Sequence, residues 1–493
     1  MTNYKDMVFA LNEIGISLSS EKNQDVLLKK IVNSIVEFVR CDACSLFIKE
    51  NDPERLIFKA SRTVSLNNSS FSDTPVNLSS NSIAGYTAIY GEIINIKDCY
   101  NISEDYPFSF NRSYDHMSGY RTVSMISVPM RDHKGRIIGV LQIINKLDDE
   151  GRIIEFESEF EKIAESLASQ AGVAISNVTL LNSNKNLYKS LVNSFSEAIE
   201  ARSPHTAGHS KRVTWISMLL AEAVSNADYG TYADTKFTKD ELEELRFSAV
   251  LHDVGKISIP EKILEKSNKL TEEEMAIIAE RFEAIRLSIL RSIGNGGSNL
   301  IEDLNSDHAF LIKKSIPGKP LNDEELERIV SISRKKFKLS DGTERNYLKP
   351  LEVEKFLISR GSFTKEEYEI MKLHVVHTAD ILNEIPFTDE LKNVREYAAK
   401  HHELLDGSGY PNGLKGDDIP LQSRIMTISD IFEALTAADR PYKKSQPIDI
   451  TLRILNEEAD KGRLDKDLVD IFIREEVYEK YLEKKNRSHG GII

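Results

Sequence analysis

Apolar positions divide the chain into two halves with different periods. Between residues 22 and 40, Leu27, Leu28, Ile31, Ile35 and Val39 recur at steps of three and four, which predicts a helix. Short apolar runs follow: CSLFIKE (44–50), RLIFKAS (55–61), EIINIKD (92–98), VSMISVPM (123–130) and RIIGVLQIIN (136–145). Turn-forming strings such as HKGR at 133–136 separate them, so they read as strands. Helical spacing returns over 157–182. An antiparallel sheet flanked by helices from both ends of the segment is the simplest way to bury these faces.

From about residue 186 onward strand patterning almost vanishes. Helical segments dominate: LVNSFSEAIEA, WISMLLAEAV, KDELEELRFSAVLHD, EEMAIIAERFEAIRLSIL, DEELERIVSISRKKF, KEEYEIMKLHVVHTADIL and SRIMTISDIFEALTAAD. Gly, Pro and Asn breaks with two mixed-charge helices mark 296–350 as an insertion. The expected organisation is an α/β domain over 1–182, a connector helix beginning within it, and an all-α domain over 183–493. Along the connector, Phe160, Ile163, Leu167, Ala171, Ala174, Val178 and Leu181 form a seam that suits a parallel helix pair and hence a homodimer. The same stripe would equally serve packing on its own domain.

Composition narrows the function classes. Hydrophobic content of 40% supplies ample material for cores, and a net charge of −14 argues against broad affinity for nucleic acid or an anionic membrane. The first residues lack a signal-peptide pattern, and no apolar run approaches the roughly 18 residues that span a bilayer. A cytoplasmic location with no membrane insertion is expected. Cys41, Cys44 and Cys99 are too few for a disulfide framework, and CDAC alone cannot assemble a zinc site, so these cysteines read as core or strand-entry residues.

The histidines change the picture most. Eight of eleven lie between residues 205 and 402. His252-Asp253 follows the apolar run FSAVL, His401-His402 follows EYAAK, and Asp430 follows RIMTIS, all positions where unpaired polar groups would be costly. A divalent metal cluster relieves every one of these penalties, because imidazole nitrogens and carboxylate oxygens suit first-row cations. Asp253 could bridge two ions, and Lys256, one helical turn beyond it, could neutralise a phosphate oxygen. His308, in the insertion, is expected to be exposed, and His377 to have an ordinary packing or solvent-facing role.

Two family resemblances follow from these strings. SGYRTVSMISVPMRDHKGRIIGVLQIINKLDDEGRIIEF, residues 118–156, resembles the second half of GAF domains of cyclic-nucleotide phosphodiesterases. NKLDDE at 145–150 is similar to part of their NKFDE signature, with Leu147 where Phe is expected. That resemblance implies a small-molecule or nucleotide ligand, or dimerisation. HDVGKISIP (252–260) and HHELLDGSGYP (401–411), with HSKRV (209–213), HVVHTADIL (374–382) and RIMTISDIFEALTAADRPYKK (424–444), resemble the HD-GYP subgroup of HD-domain phosphohydrolases.

The HD-GYP resemblance implies an all-α fold and hydrolysis of cyclic di-GMP to pGpG or GMP with two or three ions, iron first and manganese second. Carried over residue by residue, the metal ligands are His209, His252, Asp253, His374, His401, His402 and Asp430, with Asp253 and Lys256 catalytic. Lys256, Asp406, Gly407, Gly409, Tyr410, Pro411, Arg440 and Lys443 are the implied substrate-binding residues. One departure is His205, which stands where three-metal relatives often carry Glu: either it replaces Glu as a further ligand for a third ion, or the site holds two ions. Others are the long stretch before His374, with its insertion either a lid or an outlying helical pair, and an extra residue in TAAD before Arg440. Alternative readings are a catalytically weak cyclic-dinucleotide receptor and an enzyme acting on another cyclic dinucleotide.

Overall fold

Within residues 41–154 the strand segments turn successive side chains to opposite faces, and they build a seven-stranded sheet. The computed structural model describes residues 4–201, 208–293, 298–318, 320–339, 341–437 and 445–489. His205, Arg440 and Lys443 lie outside the described residues. Two compact units divide after Lys189, within a long helix, Phe160–Glu200.

In the first unit the strands are β1 (Cys41–Asn51), β2 (Glu54–Thr63), β3 (Asn68–Val76), β4 (Ile94–Ile96), β5 (Met125–Arg131), β6 (Ile137–Leu147) and β7 (Ile153–Ile154). Their order is β3-β2-β1-β6-β5-β4, with β7 beside β6 and every pairing antiparallel. Leu141 and Ile143 of β6 face a core shared with Gln24–Val39 and the first half of Phe160–Glu200. Val140 and Ile144 face the opposite side, toward the Ile83–Tyr90 helix and the loops around Phe108 and Tyr120. Cys41, Cys44 and Cys99 are all buried, and burial pushes the Cys41 and Cys99 thiols up to about 12.

β3 was not expected. Its sequence, NSSFSDTPV, has no apolar run, and it pairs only with β2 at the sheet edge, where Pro75 is tolerated. The connector seam also needs correcting. Phe160, Leu167, Ala171, Ala174 and Val178 are buried within the first unit's own core, so they are not open to a second chain. Leu181 is 54% exposed, and the exposed apolar residues beyond it, Leu187 and Leu191, lie outside that core.

The second unit is mainly helical. Its principal core joins His209–Asn226, Lys239–Leu251, Leu421–Thr436, Ile448–Asp460, Lys466–Arg474 and Val477–His489. A separate core gathers Ile278, Phe282, Leu304, Leu311, Ile329 and Phe356, from the Glu272–Ile293 helix, the inserted segment and the Pro350–Phe356 helix that follows it. The insertion is therefore a small packed lobe rather than a bare helical pair. It also carries a short hairpin, Lys336–Lys338 against Glu344–Asn346, which the apolar pattern did not predict. His308 is partly buried rather than exposed. Its ring stacks on Phe282 with centroids 4.8 Å apart.

Two buried lysines tie this lobe to the Lys365–Asn383 helix. Lys266 pairs with Glu367, and Lys355 reaches Glu274 at 2.6 Å and Glu367 at 3.7 Å. Glu367 also closes the capping box of that helix with Thr364. Among the described residues no helix is long and apolar enough to cross a membrane.

Candidate metal centre

Each metal-ligand candidate within the described residues sits at a helix end or on an inward helix face of the second unit. His209 opens His209–Asn226, and His252-Asp253 follows the end of Lys239–Leu251. His374 lies within Lys365–Asn383, His401-His402 follow Val394–Ala399, and Asp430 lies within Leu421–Thr436. The fold brings all seven together. Three overlapping groups have ligand atoms within 4.8 Å of one another: His374, His401 and His402; His209, His252 and Asp430; His252, Asp253 and His401.

Two small contacts let the elements approach. Gly255 packs so closely on Lys365–Asn383 that a Cβ there would stand 2.0 Å from the His374 carbonyl oxygen. Its N–H donates to Thr378 Oγ1 at 2.9 Å, and that hydroxyl donates to the His252 carbonyl at 3.0 Å. On the other side, Thr427 Oγ1 donates to the His401 carbonyl at 2.8 Å. None of Gly255, Thr378 or Thr427 was singled out from the sequence, since the constraint on each is backbone proximity and not side-chain chemistry.

The imidazoles are oriented by a common device. Nδ1 of His252, His374 and His401 meets the carbonyl three residues earlier, from Ala249, Met371 and Ala398, at 2.8, 2.6 and 2.6 Å. Each bond places the proton on Nδ1 and leaves a lone pair on Nε2, the arrangement typical of metal-binding histidine. All three Nε2 atoms are buried without a hydrogen bond, as is Asp253 Oδ1, and the Asp253 carboxylate lies 3.2 Å from His252 Nε2 and 3.4 Å from His374 Nε2. Leaving four such atoms without hydrogen bonds in one place is strongly unfavourable unless a cation meets them. The donor set therefore fits divalent ions.

His209 is held differently. Its Nδ1 contacts Glu433 Oε2 at 2.6 Å, and Arg212 Nε donates to the other Glu433 oxygen at 2.5 Å. Its Nε2 lies 3.2 Å from Asp430 and 3.4 Å from Asp253. Glu433 escaped the sequence reading, although its place three residues after Asp430 puts both on one helix face.

Charge in the cluster follows from burial and these partners. Burial drives the His374 and His401 imidazoles below their ordinary range and brings His402 down to about 3, so all three are neutral and able to bind metal. For Asp253, burial pushes upward, but Lys256, His252 and His209 outweigh it and hold the carboxyl well below its usual range. His209 moves the other way. Burial opposes its charge, yet hydrogen bonds with Asp253, Asp430 and Glu433 raise it well above the ordinary imidazole.

Lys256, in the turn Val254–Ser258, reaches Asp253 Oδ2 at 2.5 Å with its side chain 21% exposed. The 406–411 loop folds back on the paired histidines. Tyr410 N–H donates to the His402 carbonyl at 3.1 Å, and its ring lies 4.8 Å from that of His402 and 6.4 Å from that of His374. Buried Glu403, another residue missed from sequence, clamps the loop by accepting the N–H groups of Asn412 and Leu414 at 2.7 and 2.9 Å.

The remaining loop residues shape the backbone. Gly407 has a φ of +82°, where a side chain would be strained, and a Cβ on Gly409 would stand 2.3 Å from Leu404 N. Asp406 accepts the N–H and hydroxyl of Ser408 at 2.8 and 2.6 Å and pairs with Arg463 at 3.4 Å. Tyr410-Pro411 is a cis peptide.

Known families agree with this geometry. The HD-domain family matches residues 206–346 and, through a second HD-domain description, residues 348–468. His209, His252 and Asp253 fall in the first match; His374, His401, His402 and Asp430 fall in the second. The GAF-domain family matches residues 23–175. The chain carries a GAF domain followed by an HD domain.

Among its relatives is the 3′3′-cGAMP-specific phosphodiesterase 3 of Vibrio cholerae, 27% identical over 54% of this chain and 35% of the relative. The cyclic di-GMP phosphodiesterase response regulator RpfG of Xanthomonas campestris is 29% identical over 44% of this chain and 52% of the relative. The cyclic di-GMP phosphodiesterase of Thermotoga maritima is 35% identical over 28% of this chain and 38% of the relative. The chain thus spans about a third to a half of these relatives' length.

Proposed function

We propose that the HD domain is a metal-dependent phosphodiesterase that opens cyclic di-GMP to pGpG, GMP or both. The observation that carries this reading is the set of buried Nε2 atoms without hydrogen bonds gathered around Asp253. His209, His252, Asp253, His374, His401, His402 and Asp430 would hold two or three divalent ions, iron first and manganese second. Bound ions would supply Lewis-acid polarisation of the phosphoryl group and an activated water nucleophile. The protein's own part is orientation and charge. Lys256 holds Asp253 from the solvent-facing side, where its ammonium would meet a phosphate oxygen. Tyr410 and the glycine-shaped loop would form the wall against which the dinucleotide lies, with Asp406, Gly407, Gly409 and Pro411 fixing its path. Arg440 and Lys443, on the family resemblance alone, would meet the dinucleotide's phosphates or guanines.

The GAF domain is the proposed control element, with a small molecule or nucleotide as its ligand. A second copy of the chain would pair through the exposed part of the connector, where Leu180, Leu187 and Leu191 are spaced by seven and four.

A second reading concerns the substrate alone. The Vibrio cholerae relative is named for 3′3′-cGAMP, which favours testing the hybrid dinucleotide beside cyclic di-GMP. Metal-loaded wild type is to be compared with His252→Ala on cyclic di-GMP, 3′3′-cGAMP and cyclic di-AMP, with products resolved by chromatography. Conversion of cyclic di-GMP by wild type alone is the expected result. Preferential conversion of 3′3′-cGAMP moves the substrate assignment, and tight binding without turnover makes the protein a receptor.

A further inference from the structure

Glu200 is an unexpected residue at its position. A carboxylate in the last turn of a helix faces the negative end of the helix dipole, and burial adds to the cost. Yet Glu200 ends Phe160–Glu200 and is only 9% exposed. Its oxygens accept two backbone N–H groups at 2.6 Å each, those of Gly208 and Ser210. These are the residues on either side of His209.

The need for such an acceptor is local. The helix His209–Asn226 begins at Gly208, which has no side chain to cap it. The first amides of a helix require an outside acceptor, usually a Ser, Thr, Asp or Asn at that position. Glu200 fills this role from eight residues upstream. Ser196, Ile199 and Glu200 from the same turn also line a cavity with His209, Asp253 and Lys256.

We propose that Glu200 is the positioning residue for His209, so that the last turn of the connector helix sets the geometry of this side of the metal cluster. Moving that turn moves both amides flanking the ligand, which makes it the point where a regulatory input would enter the active site. This inference rests on the metal-centre reading above and goes beyond it by assigning the device that holds His209.

The test titrates metal-free full-length protein with Mn²⁺ alone by calorimetry, with ions counted by mass spectrometry and thermal melts of the metal-free proteins. Glu200→Ala is expected to bind about 10–100-fold more weakly or to lose one ion, the result also expected of His209→Ala. Glu200→Gln, which keeps the size and one acceptor oxygen, should fall between Glu200→Ala and wild type. Glu197→Ala, on the exposed side of the same turn, should match wild type.

The proposal is overturned if both Glu200 variants take up Mn²⁺ with wild-type affinity and stoichiometry, whether or not their metal-free melts are lowered. If the alanine variant is unfolded, the glutamine variant decides: tenfold loss supports the proposal and unchanged affinity overturns it. A wild-type protein that takes up no ion overturns the metal-centre reading itself, a distinct result.

Discussion

Asn145 in the GAF domain and His401 in the HD domain are equally buried, at 1% and 0% exposed, but their polar atoms meet opposite fates. The Asn145 side chain accepts from the N–H groups of Val123 and Ser124 at 2.7 and 3.2 Å. It donates to the Tyr120 hydroxyl and Arg121 carbonyl at 2.9 and 2.8 Å. Every capacity of that amide is used within the chain. His401 uses one ring nitrogen to fix its orientation and leaves the other without a hydrogen bond, as do His252 and His374. A closed network holds a fold together, whereas an open one is held together by the fold and awaits something else.

The largest expected effect comes from the centre of the open network. Asp253→Ala should reduce cyclic-dinucleotide hydrolysis by at least about a hundredfold, because it removes the carboxylate lying within 3.4 Å of His209, His252 and His374. Circular dichroism should remain that of a folded protein. Persistence of the activity would move the chemistry away from this cluster. Glu433→Ala acts one step further out, on the group that fixes the His209 ring. Metal affinity, measured by calorimetry, should fall about 10–100-fold. Unchanged affinity would make the Glu433–His209 contact a structural bond only.

How far the sequence alone reached follows from the same contrast. The seven ligand candidates were legible because imidazole and carboxylate groups at the buried ends of apolar runs are chemically costly wherever they occur. The groups that aim them were not. Glu433 looks like one more helix-surface acid, Thr378 like filler, and Gly255 like part of a string rather than a contact. The connector stripe at Phe160–Val178 was legible as a helix face but not as to its partner, since an intradomain core and a dimer seam demand the same spacing. β3 left no signal because an edge strand pairs through its backbone and can be polar. His308 was placed at the surface since nothing in its local sequence shows Phe282 packing beneath it.

Gly255→Ala probes the contact that carries His252 and Asp253 against the His374 helix. The added methyl would collide with backbone, not with a movable side-chain end, so the elements must separate. Overpacking of this kind costs about 1–3 kcal/mol. Chemical denaturation should show the loss in the HD domain, and Mn²⁺ binding should weaken with it. Lost stability with intact binding would mean that the ligands tolerate a shift of Val254–Ser258.

The smallest expected effect tests the closed network, through a pair of substitutions at one site. Asn145 adopts a left-handed backbone, φ 56°, which asparagine tolerates better than most residues. Asn145→Gly removes the side-chain bonds while leaving that conformation accessible. Asn145→Ala removes them and adds the strain of a Cβ at positive φ. The glycine variant therefore reports the stranded amides of Val123 and Ser124, about 1–3 kcal/mol. Alanine should cost roughly 1 kcal/mol more than glycine. Both losses should appear in denaturation of the GAF domain, with Mn²⁺ stoichiometry of the HD domain unchanged. Equal destabilisation by the two would assign the whole effect to hydrogen bonding. A change in metal binding from either would show that Asn145 does more than close its own network, and the division between structural and chemical burial would have to be redrawn.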